Sequence, residues 1–62
     1  MFIELTMPDN EKVNVNINLV IHYKNNGGRT LIQNENGSLE VIESYEQVKE
    51  LIKNEVAAER GY

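Results

Sequence analysis

His22 and the hydroxyls of Thr30, Ser38 and Ser44 are the groups from which a nucleophile and its base could be drawn, since the chain contains no cysteine. A nucleophile of this kind is weak until an adjacent base takes its proton. His22 is flanked by Ile21 and Tyr23 in a strand-like run, the setting of a surface or edge residue, while Thr30, Ser38 and Ser44 stand where turns and caps already account for them. Glu40, Glu43, Glu46 and Glu50 form an acidic stretch. Two carboxylates can serve as acid and base in glycoside hydrolysis, but that chemistry needs a cleft, and carboxylates near a helix start are explained by the helix dipole. Gly27-Gly28-Arg29-Thr30 lacks the lysine and the strand-to-helix placement of a phosphate loop. A structural zinc site would have to rest on one histidine and carboxylates. The expectation is a non-enzymatic protein, with no catalytic, cofactor-binding or metal-binding residues and no cofactor.

The elements that would carry any binding surface follow from the period of the apolar residues. Ile3, Leu5 and Met7 alternate with Phe2, Glu4 and Thr6, which predicts a strand over residues 2–7, ended by the turn-forming Pro8-Asp9-Asn10. Val13, Val15 and Ile17 alternate with Asn14, Asn16 and Asn18, predicting a second strand over 12–17 with one wet face. A row of amides could present hydrogen bonds to a ligand, but a solvated face explains it more simply. After a bend near 16–18, strands are predicted at 19–24, 29–34 and 38–42, separated by Asn25-Asn26-Gly27-Gly28 and by Asn36-Gly37, both suited to hairpin turns.

The period then changes to that of a helix. Ser44 with Gln47 reads as a capping box, and Tyr45, Val48, Leu51, Ile52 and Val56 fall on one stripe, which predicts a helix over about 45–57. Glu46 with Lys49 and Glu50 with Lys53 are spaced for ion pairs along it. Residues 58–62 are expected to form a loose tail.

Sixty-two residues make one domain, and a core of this size supplies only about 3–5 kcal/mol of net stability. Without cysteine or a metal, association with another subunit is the remaining support. Six basic and ten acidic residues give a net charge of −4, and the basic ones are scattered, so no nucleic-acid partner is expected. No apolar run approaches the ~20 residues of a membrane span, and no export signal is recognisable, so the expectation is a cytoplasmic protein without membrane insertion.

The expected architecture is α+β: a curved antiparallel sheet of four to five strands, a meander of hairpins, with one C-terminal helix. One helix covers one face of a sheet. Leu19-Val20-Ile21, Leu31-Ile32 and Val41-Ile42 nevertheless put large apolar groups on both faces of the later strands, and Phe2 adds another. Each such side chain is worth roughly 1.5–3 kcal/mol when buried, so the surplus face calls for cover. The sheet can curl into a small barrel, pair with itself in a homodimer, or meet a different protein. In the last two cases Phe2, Val20, Ile32 and Ile42 form a protein interface, with Glu46 and Glu50 on the helix as a second contact.

The order of elements also resembles the short flagellar and swarming motility proteins of the FlbD type. The matching pieces are Leu5-Thr6, Asn16 followed by Val20 and Tyr23, Thr30-Leu31-Ile32, Asn36-Gly37, Glu43-Ser44 and Val48, spread over nearly the whole chain. Gly28-Arg29 stands where that family favours Pro-Asp. The resemblance implies a cytoplasmic accessory of the flagellar motor acting through protein contact. The alternative expectation is a phage- or plasmid-encoded inhibitor that blocks a host protein with its acidic helix and turn regions.

Overall fold

The computed structural model describes residues 1–59. It is an α+β fold of five antiparallel strands and one C-terminal helix: β1 (Phe2–Thr6), β2 (Lys12–Asn16), a single 3₁₀ turn (Ile17–Leu19), β3 (Val20–Asn26), β4 (Arg29–Asn34), β5 (Gly37–Val41) and α1 (Tyr45–Glu59). The strands divide into two sheets, a β1-β2 hairpin and a β3-β4-β5 meander, and do not close into a barrel.

Local chemistry explains most turns, but the β4–β5 loop is Glu35-Asn36, with Gly37 (φ 139°) already paired in β5 where an Asn36-Gly37 turn was expected. Met7-Pro8-Asp9-Asn10 closes with the Asn10 amide donating to the Met7 carbonyl at 2.9 Å, and Asn10 takes the left-handed φ of 75° that asparagine tolerates. Between β3 and β4 the two-residue loop is Gly27-Gly28, with φ of 62° and 89°, the paired positive angles that match the twist of a hairpin. Asn16 ends β2 because its side-chain oxygen accepts from the Asn18 amide at 3.1 Å, which starts the 3₁₀ turn and sends the chain into the other sheet. At the helix start, the Ser44 amide donates to Gln47 Oε1 at 2.8 Å and the Gln47 amide donates to Ser44 Oγ at 3.2 Å, as the capping box requires. The helix continues through Glu59, two residues past the predicted end, because Ala57, Ala58 and Glu59 all favour helix. The rest of the expected tail, 60–62, lies outside the described residues.

Ile3, Leu5, Val15, Ile32, Val41 and Val48 form the buried core, with Val13, Ile17, Val20, Tyr23, Leu39 and Ile52 packed around it. It sits between the inner faces of the two sheets, and α1 closes one side through Val48 and Ile52 and through Tyr45, whose ring lies 5.2 Å from that of Tyr23.

A polar joint binds the sheets at the far end of β1. The Ile42 amide donates to the Thr6 carbonyl at 2.8 Å, the Thr6 amide donates to Glu43 Oε1 at 2.9 Å, and Lys12 Nζ donates to Thr6 Oγ1 at 2.9 Å. The Thr30 hydroxyl, fully buried, donates to the Glu43 carbonyl at 2.8 Å. Thr6 and Thr30 can therefore be interior despite being polar, since an unpaired buried hydroxyl would be costly. Among the described residues no buried side-chain nitrogen or oxygen lacks a partner.

Candidate interaction surface

The groups that could do chemistry are not brought together. His22, Gln33 and Ser38 share one cross-strand row on the outer face of β3-β4-β5, with His22 and Ser38 two strands apart. At ~4.8 Å per strand that separation exceeds hydrogen-bonding reach. Glu40 accepts from Asn26 Nδ2 at 3.0 Å and from Arg29 Nη1 at 3.2 Å, Glu43 is engaged in the joint, and Glu46 and Glu50 stand exposed on α1. The carboxylates thus point to separate places. No group of three or more potential metal ligands occurs among the described residues. The asparagine row dissolves as well: Asn14 is an exposed strand residue opposite Glu4, Asn16 is a cap and Asn18 lies in the 3₁₀ turn.

The surplus apolar face needs correcting in two places. The outer face of the three-stranded sheet carries His22, Lys24, Arg29, Gln33, Ser38 and Glu40 around a half-buried Leu31, with the Asn26–Glu40–Arg29 network across it. It is wet, not apolar. Ile32, expected at an interface, is 2% exposed in the core, on the face it shares with Val41 and Leu39, and Thr30, two residues earlier, is tolerated on that face because its hydroxyl donates to the Glu43 carbonyl. Val20 is the second correction. It is half-buried against the core, not displayed.

A β-bulge is the reason for Val20. Val20 pairs with Asn34 and His22 with Gln33, so two residues of β3 occupy the span that one step of β4 crosses. An inserted residue shifts the parity of everything beyond it. Counting back from the inward Tyr23, regular alternation would bury Ile21 and expose Val20; the bulge reverses this and leaves Ile21 65% exposed. Leu19, at the end of the 3₁₀ turn, is 50% exposed, and Phe2 is 52% exposed. Leu19 and Ile21 are thus the apolar surface that strand alternation missed. The signal was the uninterrupted Leu19-Val20-Ile21 run directly after Asn16-x-Asn18, which a strand with one wet face cannot accommodate without an irregularity. Ile42 is exposed as expected, just beyond β5 beside the joint.

The 3₁₀ turn forms a ridge between two open grooves. One, about 340 Å³, is lined by Met1, Ile17, Val20, Ile21, Ile52 and Val56, so it runs between the ridge and the second half of α1. The other, about 270 Å³, reaches between the two sheets along β2, with Val13, Val15, Leu19, Leu39 and Phe2 as apolar walls and Asn14, Asn16 and Asn34 as amides. No charged side chain lines the second groove. Charges are depleted in the same way where protein interfaces are driest.

Glu46 and Glu50 make no ion pair with Lys49 or Lys53; Arg29–Glu40, at 3.2 Å, is the ion pair found among the described residues. No described helix is long and apolar enough to cross a membrane. No protein-family model, curated protein or solved structure matches the chain.

Proposed function

We propose that this protein is a non-enzymatic interaction module that docks a protein partner on the corner formed by Phe2, the 3₁₀ turn and the start of β3. The observation that carries this reading is the exposure of Leu19 and Ile21 on a ridge flanked by two grooves with apolar walls. In a domain whose described residues bury six apolar side chains, a sequence that keeps such residues in water forgoes stability it could use. The resemblance to the short motility proteins supplies the setting: a flagellar accessory acting in the cytoplasm by protein contact. Self-association into a homodimer is the form this takes if the partner is a second copy.

The test is affinity capture from the source cells with the full chain and with the double variant Leu19→Asp, Ile21→Asp, whose fold is checked by circular dichroism. Loss of the captured protein from a folded variant is the expected result. Equal recovery by both chains would overturn the reading.

A second reading, an inhibitor of mobile-element origin, is favoured by Glu46 and Glu50, exposed one turn apart on α1 and free of ion pairs among the described residues. Reversing Glu46, Glu50 and Glu55 to lysine separates the two, because only this reading expects binding to be lost while the corner is intact.

A further inference from the structure

Four of the five strands end a sheet, and the fold treats their open edges differently. β1 and β5 carry the charges Glu4 and Glu40 and are tied at one end, where the amide of Ile42, just beyond β5, bonds the Thr6 carbonyl. β3 carries the bulge at Ile21 and has α1 packed against it. β2 pairs with β1 and with no other strand. Its residues 13–16 contain no charge, no proline and no bulge, and Lys12 is drawn across to Thr6 instead of guarding the edge. Proteins ordinarily blunt such an edge with those devices, because a row of unpaired backbone groups is a template for another strand. Beside this undefended edge lies the uncharged groove walled by Val13, Val15, Leu19 and Leu39.

From this juxtaposition we infer that the partner is held by strand addition: an extended segment pairs with the open edge of β2 and places an apolar side chain in the groove between the sheets. The inference rests on the docking reading above and names how the partner is gripped. Main-chain bonds supply affinity in this mode, and a pocket for alternate side chains supplies specificity.

Area selects a short segment over a second globular copy. Phe2 and Leu19, each about half exposed, leave on the order of 200 Å² of apolar surface beside the groove, whereas a stable dimer buries about 800 Å² on each partner. Charge selects its composition. The chain carries a net −4, and Asp9 and Glu11 stand in the turn that leads into β2, so a guest alternating apolar and basic residues is favoured and an acidic one repelled.

The experiment titrates the isotope-labelled full chain with an acetylated and amidated peptide of about seven residues alternating valine and lysine, the length of an ordinary strand. Two further peptides carry N-methyl groups on one edge or on the other. Saturable shifts over Lys12–Asn16 and slowed hydrogen exchange at the outward-facing amides of Lys12, Asn14 and Asn16 are expected, with binding weakened roughly tenfold by N-methylation on one edge only, as losing one or two backbone hydrogen bonds would do. Shifts centred on α1 or on the outer face of β3-β4-β5, or insensitivity to N-methylation on both edges, would overturn strand addition. So would a molar mass that doubles with concentration while the same amides shift without peptide, since a second copy would then own the edge. If the peptides fail while the Leu19→Asp, Ile21→Asp variant still loses its captured partner, the docking corner stands and strand addition falls. If that variant keeps its partner, the corner itself is wrong.

Discussion

The two ends of β1 place opposite demands on the same strand. At the Thr6 end every polar group is spent: backbone amide, carbonyl and hydroxyl all bond, and Glu43 and Thr30 complete the joint. At the Phe2 end, about 13 Å away along the strand, apolar side chains remain in water around Leu19 and Ile21. The contrast teaches that burial alone does not identify function here. Buried threonines serve the fold, whereas the leucine and isoleucine leave half or more of their surface in water.

The comparison breaks first in the core. Leu5→Ala removes a fully buried side chain next to the joint and should cost about 2–5 kcal/mol, comparable to the whole stability of a domain this small. Urea denaturation should therefore show a largely unfolded chain in buffer; a cooperative transition with an unchanged midpoint would mean that the core does not lie where it is described.

The joint comes next. Thr30→Val keeps the shape but leaves the Glu43 carbonyl without its hydroxyl partner, which should cost about 1–3 kcal/mol in the same assay. Glu43→Gln should cost distinctly less than Glu43→Ala, because an amide oxygen can still accept from the Thr6 amide. If the two substitutions are equally damaging, it is the charge and not the hydrogen bond that matters. Ser44→Ala should cost about 1 kcal/mol through the lost cap, read as a lower melting temperature with the sheet signal retained.

The smallest stability effect belongs to the corner. Ile21→Asp should change stability by no more than about 0.5 kcal/mol, since the side chain is already mostly in water. A large loss would move Ile21 into the core and remove the contrast between the two ends of β1.

Much of the fold was legible in the chain. The five strands, the turns at Pro8-Asp9-Asn10 and Gly27-Gly28, and the Ser44–Gln47 cap stand within a residue or two of where period and turn chemistry put them. Most of the residues that carry the motility-protein resemblance are explained by architecture: Thr6, Thr30 and Glu43 build the joint, Asn16 and Ser44 are caps, and Leu5, Ile32 and Val48 fill the core. The candidate surface was legible only in part. Phe2 and Ile42 are exposed as expected, but Val20 and Ile32 turned inward and Leu19 and Ile21 outward.

The local code determined the elements by itself, because turns, caps and the apolar period act over a few neighbouring residues. Which face each apolar residue occupies was settled only by tertiary structure. One inserted residue in β3 inverts the parity of the strand beyond it, and a threonine becomes core once a carbonyl thirteen residues away accepts its hydroxyl. Both facts depend on pairing between segments distant in the chain, and a sequence read along its own length carries no register for such pairs.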